Sequence, residues 1–169
     1  MILEGRAHVF GDSISTDHIA PGRYYHLRSD LPGLARHVLE DADPDFAEKV
    51  EPGDLVVAGE NFGLGSSREH AAAILKLAGV GAVLASSVAR IFFRNAINVG
   101  LPVLTLDVSG IQPGDLLRVD LEQGLVENLT REDSVSSTPL PAVMLEILGD
   151  GGLVAHVKRH GRLNLKAGG

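Results

Sequence analysis

The chain has 169 residues and a formal net charge of -7, which suits one domain with a real core rather than two domains of ordinary size. The negative charge argues against a nucleic-acid partner, because such partners usually meet a basic face or stripe. The sequence contains no cysteine, so disulfides, thiolate nucleophiles and cysteine-ligated iron–sulfur clusters are excluded from the chemistry of this chain.

The apolar residues account for 44% of the chain, but only 4% of it is aromatic. A core must therefore be built largely from Ala, Val, Leu and Ile, which is typical of α/β proteins. The first residues lack the apolar segment of a signal peptide, and no apolar run approaches roughly 18 residues. We expect a cytoplasmic protein that makes no contact with a membrane.

The first part of the chain predicts a strand, a loop and a short helix. Residues 5–10 alternate loosely and predict a strand, and turn and helix-capping residues follow at 15–17. The polar, aromatic segment 23–30 has no clean period and predicts a long surface loop. Apolar residues from Leu31 onward have helical spacing and predict a short helix that ends before Pro44.

The middle of the chain alternates between strands and helices. Short apolar runs predict buried strands, and segments with helical spacing predict the helices between them. In chain order we predict a strand at 55–59, a helix from Ser66 to a cap at Gly79, a strand at 80–85, a helix at 87–98 and a strand at 101–106. Strands joined through helices favour a parallel sheet with right-handed crossovers.

The last third of the chain changes character after Asp107. Turn residues at 113–115 and 123–124 surround two strands, 116–121 and 125–129, and predict an antiparallel hairpin. A final helix is predicted at about 141–148, where a cluster of glycines ends it.

A glycine-rich loop before the first of the two middle helices has the features of an anion site. Gly63 and Gly65 allow unusual backbone conformations and the close approach of a ligand. The free N–H groups and the dipole of the predicted helix favour an anion such as a carboxylate. Arg68 adds a planar, two-pronged donor beside the hydroxyls of Ser66 and Ser67.

The same residues also have a purely structural explanation. Ser66 and Glu69 have the spacing of a capping box, in which each side chain accepts from the backbone N–H of the other residue. The spacing alone leaves the structural and the functional role equally open. We expect His70 to pack or orient its neighbours rather than bind a metal, because no second histidine lies at ligand spacing from it.

Residues 61–70, Asn-Phe-Gly-Leu-Gly-Ser-Ser-Arg-Glu-His, resemble the Gly-Ser-Ser-Arg-Glu-His signature of the mobile swivel domain of the aconitase superfamily. Three further stretches agree with this superfamily, at 15–19, 87–95 and 146–153. The resemblance covers about residues 5 to 160. It implies an α/β, three-layer β/β/α domain over residues 1–169, with a mainly parallel sheet and a C-terminal antiparallel hairpin.

The resemblance implies that this chain is the smaller part of a two-chain hydro-lyase. In that family a large subunit carries a [4Fe-4S] cluster, which acts as a Lewis acid on the substrate hydroxyl and one carboxylate, and the swivel domain closes over it. The chain is then expected to bind no cofactor itself and to be inactive without its partner. Whether the isolated chain forms homo-oligomers stays open.

The resemblance also assigns roles to particular residues. Ser66 resembles the serine that acts as a base, and Ser67 and Arg68 resemble the residues that hold a substrate carboxylate. Asp17 resembles an acid that reaches the site from the loop after the first strand. All four are therefore expected at one active site.

The segment from Tyr24 to Asp30 occupies the position where this family reads the variable group of its substrate. Leu27 is expected to contact an isopropyl group and Arg28 a distal carboxylate, which favours the interconversion of 2- and 3-isopropylmalate by dehydration and rehydration in leucine biosynthesis. Related chains often have Tyr-Leu-Arg-Thr, where this one has His26-Leu-Arg-Ser29. A homoaconitase-type or other 2-alkylmalate substrate, a merely solvated Arg28, and a non-catalytic module that binds an anion or a partner remain alternatives.

Overall fold

The structure is a computed structural model that describes residues 1–161. Its sheet is organised around β1, Ile2–Val9. The second half of β1 pairs in parallel with residues 55–57, and its first half pairs antiparallel with residues 116–120. Gly5 lies close to the turn before residue 55, where a Cβ atom would clash with the carbonyl oxygen of Gly53. A larger residue at this position would push the two parts of the sheet apart.

The described residues form one seven-stranded mixed sheet with the strand order β4-β3-β2-β1-β5-β6-β7. The parallel part adds β2 (Leu55–Ala58), β3 (Ala82–Ala85) and β4 (Val103–Thr105) to β1. The antiparallel part adds β5 (Leu116–Asp120), β6 (Leu125–Asn128) and β7 (Asp133–Ser136).

Seven α-helices and one 3₁₀ helix, Gly22–Leu27, surround the sheet in residues 1–161. The α-helices are α1 (Thr16–Ile19), α2 (Leu31–Ala35), α3 (Phe46–Lys49), α4 (Glu69–Leu77), α5 (Arg90–Val99), α6 (Ala142–Gly149) and α7 (Leu153–His160). Within this described part, none of the helices has the length and apolar character needed to cross a membrane.

The parallel strands separate two apolar cores, because successive side chains of a strand point to opposite faces. Val56 and Ala58 of β2 pack into a core shared with α1, α2, α4 and α5. Leu55 and Val57 pack into a second core, shared with β5 and β6. Burial on both faces explains the continuous apolar runs of these strands. The layers are therefore helices, parallel strands and antiparallel strands, which confirms the predicted β/β/α arrangement.

The α/β class, the parallel pairing of the strands that alternate with helices and the antiparallel hairpin are confirmed. The antiparallel part is larger than predicted, because β7 extends the hairpin, and the sheet contains three parallel and three antiparallel pairings. The prediction of a loop at 23–30 was wrong in its first half, which forms the 3₁₀ helix. The helix predicted from Leu31 ends at Ala35 and continues as turns.

The C-terminal helix α7 was not predicted, and side-chain ion pairs attach it to the end of α6. Asp150 accepts hydrogen bonds from His156 Nδ1 at 2.7 Å, Arg159 Nη1 at 2.8 Å and His160 Nε2 at 3.0 Å. The hydrogen bond from His156 is the main cause of the lowered pKa of Asp150. Residues 162–169, which belong to the predicted domain of 1–169, lie outside the described residues.

Candidate active site

The loop that connects β2 to α4 lies at the carboxyl ends of the parallel strands, and its neighbours hold it on both sides. Phe62 forms a parallel bridge with Val88, and Leu64 forms one with Ser15. The Phe62 ring is fully buried and packs edge-on against Phe92, with ring centroids 5.2 Å apart. The loop is thus connected to the segments that follow β1 and β3.

Thr16 fixes the backbone immediately before the two serines. Its hydroxyl donates to the carbonyl oxygen of Ser66 at 2.9 Å, and its N–H donates to the carbonyl oxygen of Leu64 at 2.9 Å. The residue between them, Gly65, has a positive φ of 105°, which favours glycine. Because Thr16 is only 4% exposed, these bonds are shielded from water. The loop backbone is therefore held in place while the side chains of Ser66 and Ser67 remain exposed.

The capping box that the spacing of Ser66 and Glu69 left open does not form, and the prediction that the helix begins at Ser66 was wrong. Helix α4 begins at Glu69, with Arg68 at its N-cap and no side-chain cap. Within residues 1–161, the hydroxyls of Ser66 and Ser67 and the backbone N–H groups of residues 66–70 have no protein hydrogen-bond partner. These donors are available to an anion at the start of the helix.

The guanidinium group of Arg68 is held on one side by Asp17, which lies 51 positions earlier in the chain. Its Nη1 donates to Asp17 Oδ1 at 2.9 Å and to the carbonyl oxygen of Ala20 at 2.7 Å. Asp17 Oδ1 also accepts the N–H of Gly22 at 2.9 Å. Nη2 and Nε of Arg68 have no hydrogen-bond partner among the described residues. The structure brings Asp17 and Arg68 together and leaves part of the guanidinium group for a ligand carboxylate.

The expected substrate-reading segment lies beside the start of α4. The Tyr25 ring faces His70 edge-on, with ring centroids 6.2 Å apart. Arg28 is exposed, stacks over the Tyr25 ring at 4.4 Å and donates to the carbonyl oxygen of Tyr25. Leu27 is half-buried and packs against the helix-side core, which leaves only part of its surface open. The predicted substrate contacts of Leu27 and Arg28 remain predictions.

The lowered pKa of His70 reflects both its burial and the positive charges near it. Burial is the largest cause of its lowered pKa, followed by the charges of Arg68 and Arg28. Both arginines are therefore near enough to the ring to disfavour a third positive charge, and the neutral imidazole is the stable form at neutral pH.

The lowered pKa of His70 makes the folded protein bind its proton less readily than the unfolded chain does. The stability linked to His70 is therefore fully present above its ordinary pKa, which is 6.5, and is lost as the pH falls. We expect the unfolding free energy to decrease more steeply between about pH 7 and pH 5 in the wild type than in His70→Gln. Urea unfolding at several pH values measures this slope, and parallel slopes for the two proteins would contradict the assignment.

A cavity of about 220 Å³ lies between this loop and the start of α5. Ser66, Ser67 and Arg68 line one side of it, and Arg90 and Asn95 line the other. The side chains of Arg90 and Asn95 form no ion pair or hydrogen bond with the described residues. Neither residue was assigned to the site from the sequence, although both lie in the 87–95 stretch that carried part of the resemblance.

Thr16→Val tests whether the loop backbone must be held for activity, since valine keeps the shape and removes the hydroxyl. We expect a loss of about 1 kcal/mol in stability from the missing hydrogen bond. If Ser66 is catalytic, kcat of the reconstituted enzyme should also fall about 10-fold, because a small displacement of a reacting group is costly.

Thr130→Val is the matched control for this change. The Thr130 hydroxyl accepts the N–H of Leu116 at 2.9 Å, away from the candidate site. Thermal unfolding and steady-state kinetics of both variants should show that each loses stability and that only Thr16→Val loses turnover. An equal effect of the two variants on kcat would mean that Thr16 acts through stability alone.

The fold and the site together indicate a class of protein, an α/β domain with unpaired hydrogen-bond donors, suited to an anion, at the start of a helix. Residues 16–109 match the model of the aconitase C-terminal domain family. A solved structure of 3-isopropylmalate dehydratase from Methanocaldococcus jannaschii is similar over 95% of this chain and 96% of its own, with a TM-score of 0.91 and 43% identity.

Two relatives are more similar in sequence. The 3-isopropylmalate dehydratase small subunit 2 of Archaeoglobus fulgidus is 62% identical over 165 residues, which cover 98% of this chain and 100% of the relative. The small subunit 1 of the same enzyme from Thermotoga maritima is 60% identical over 95% of this chain and 97% of its own. The chain belongs to the family of 3-isopropylmalate dehydratase small subunits.

Proposed function

We propose that this chain is the small subunit of a two-chain hydro-lyase that interconverts 2-isopropylmalate and 3-isopropylmalate through a dehydrated intermediate in leucine biosynthesis. The observation that carries the proposal is the group of unpaired donors at the start of α4, where Arg68 is held through Nη1 alone. Such a half-site binds a carboxylate but is open to solvent, so it requires a second surface to close it.

In this proposal Ser66 takes the proton from the carbon next to a substrate carboxylate, and Ser67 and Arg68 hold that carboxylate. A serine hydroxyl is a poor base near neutral pH, so its alkoxide must be stabilised. The free N–H groups at the start of α4 and the guanidinium of Arg68 are suitable stabilisers, and they act most strongly once water is excluded. Asp17 contributes by holding Arg68 in position.

A [4Fe-4S] cluster is expected on the large subunit, where it would supply a Lewis acid for the substrate hydroxyl. This chain has no cysteine, so it offers no thiolate ligand for a cluster. Its own contribution is therefore the base, the carboxylate contacts and the surface that closes the site.

The choice of substrate is assigned to the last residue of the 3₁₀ helix and the residue that follows it, Leu27 and Arg28. Leu27 would contact the isopropyl group with the part of its side chain that is open, and the exposed Arg28 would contact the distal carboxylate. This pairing of one apolar and one cationic side chain favours an isopropylmalate over a longer tricarboxylate such as homocitrate.

The test is reconstitution with the cluster-bearing large subunit, followed by absorbance of the unsaturated intermediate. We expect turnover of isopropylmalate by the mixture and none by this chain alone. Competition between isopropylmalate and homocitrate distinguishes the substrate, because a higher kcat/KM for homocitrate would replace the proposal by the homoaconitase-type alternative. A complex that assembles with intact cluster but turns over neither acid would instead favour the non-catalytic binding module.

A further inference from the structure

A second cavity lies on the other side of α5 from the helix-side core, between α5, α6 and the start of α7. Its volume is about 520 Å³, and its walls are mainly apolar, with Phe93, Val143, Met144, Ile147 and Leu153 among them. Phe93, Val143, Met144 and Leu153 are only half-buried. This groove, which we call the α5/α6 groove, therefore presents apolar surface that the described residues do not cover.

The α5/α6 groove is continuous with the candidate active site. Arg90, at the first turn of α5, lines both the 220 Å³ cavity beside Ser66 and the groove. Further along the same helix, Asn95 lines the active-site cavity and Arg94 lines the groove. A chain that closes over Ser66 to complete the site must therefore approach the near end of the groove.

The charge beside the groove is opposite to that of the whole chain. Arg90 and Arg94 are both exposed, and neither forms an ion pair with any residue in 1–161. Two free guanidinium groups in a chain of net charge -7 form a local positive field. An apolar centre with charged residues at its border has the composition of a protein interface and is complementary to an apolar ridge flanked by carboxylates.

We propose that the α5/α6 groove is a docking site for the large subunit, which inserts an apolar segment between α5 and α6 and places acidic side chains against Arg90 and Arg94. This inference rests on the proposed function, because the large subunit is the chain that must cover the adjoining active site. In this proposal the large subunit binds the groove whether or not substrate is present, whereas the Ser66 loop contacts the substrate itself.

Met144→Glu is the main test, because it places a charge inside the groove on a helix that tolerates glutamate. We expect the Kd for the large subunit to rise at least about 30-fold, because the carboxylate would take up apolar surface of the interface and would compete with the partner's acidic side chains for Arg90 and Arg94. The matched control is Leu77→Glu, which adds the same charge at a side chain 54% exposed. Leu77 is the last residue of α4 and does not line the groove, so the Kd of Leu77→Glu should stay within about 2-fold of the wild type.

Arg94→Glu provides a second variant that changes only an exposed side chain and so does not threaten folding. We expect the Kd to rise about 10-fold, mainly through slower association, and the wild-type affinity to weaken with salt. Surface-immobilised large subunit gives both rate constants by biosensor measurement. Circular dichroism melting of each variant shows whether it is folded.

The outcomes separate the two proposals. Weak binding by folded Met144→Glu and by Arg94→Glu, with saturating partner restoring turnover, supports the groove. Wild-type Kd values for both variants would overturn it while leaving the proposed function intact. A second copy of this chain would be the occupant if the variants abolish only self-association in sedimentation experiments, and that result would also overturn the proposal. Loss of turnover at every partner concentration in the wild type would instead count against the proposed function.

Discussion

Replacing Ser66 by alanine is expected to lower kcat of the reconstituted complex by about 10³-fold or more, as is typical when the reacting group of an active site is removed. The structure offers two reasons why this loss would concern catalysis rather than folding. The hydroxyl has no partner within residues 1–161, so it is not required to cap α4. Thr16 holds the carbonyl of the same residue, so the hydroxyl is presented from a fixed backbone.

The kinetic pattern distinguishes a base from a residue that only binds substrate. Loss of a base lowers kcat with little change in KM, whereas loss of a binding contact raises KM. Steady-state kinetics of the Ser66→Ala complex with isopropylmalate gives both values. The affinity for the large subunit should be unchanged, because the side chain removed is small and makes no contact within the described chain.

Ser134→Ala is the matched control for Ser66→Ala. Ser134 is an exposed serine on β7, in the antiparallel part of the sheet. Its variant should keep the wild-type kcat, KM and melting temperature within error. Near-normal turnover by Ser66→Ala, with this control also normal, would exclude Ser66 as the base and leave it at most a carboxylate contact.

The parallel part of the fold was predictable because its strands are buried on both faces. Burial of that kind demands short, continuous apolar runs, and β2 and β3 are fully buried along their length. Gly79 after α4 and Gly100 after α5 marked the helix ends for a different local reason, because glycine readily adopts the positive φ found there. Elements stabilised by distant contacts gave no such signal. Strand β7, Asp-Ser-Val-Ser, is mostly exposed and depends on its pairing with β6. Helix α7 was missed although its bonds to Asp150 are local, because they join polar side chains and leave no apolar pattern.

The start of α4 shows why local rules failed at the site. Ser66 and Glu69 have the spacing of a capping box, but Thr16 and Gly65 hold the loop in a conformation in which the helix starts three residues later. The contact that prevents capping crosses 50 residues, so spacing within the loop does not reveal it. A capping box does form in this chain, between Ser15 and His18 at the start of α1.

The candidate site was predictable only in part, because its residues also meet through contacts between distant parts of the chain. The ion pair between Asp17 and Arg68 joins segments 51 residues apart and was not predicted, although the resemblance to a known family placed both residues at one site. Arg90 and Asn95 were missed because they lie on a helix whose apolar pattern explains it fully as a core element. Their contribution to the site depends on where α5 begins relative to the Ser66 loop, which is a property of the folded sheet.

Arg68→Lys is expected to have the second largest effect, with kcat/KM lowered roughly 100-fold and most of the change in KM. Lysine keeps the charge but loses the planar fork that allows Nη1 to bind Asp17 and Ala20 while another nitrogen binds substrate. An ammonium group drawn to Asp17 would be withdrawn from the substrate carboxylate.

The control for this variant is Arg23→Lys, because Arg23 pairs with Glu40 and Asp41 of its own chain, at 2.7 and 2.8 Å. An exposed pair of this kind contributes little, so activity should stay within about 2-fold. Asp17→Asn provides an independent measurement, since it keeps Arg68 but weakens its anchor, and we expect an intermediate loss of about 10-fold. If Arg68→Lys kept the wild-type KM while Asp17→Asn did not, the carboxylate contact would have to be assigned to Arg90 or Arg28. The relative losses of activity in Arg68→Lys and Asp17→Asn therefore decide which arginine binds the substrate carboxylate and which ones only add positive charge near it.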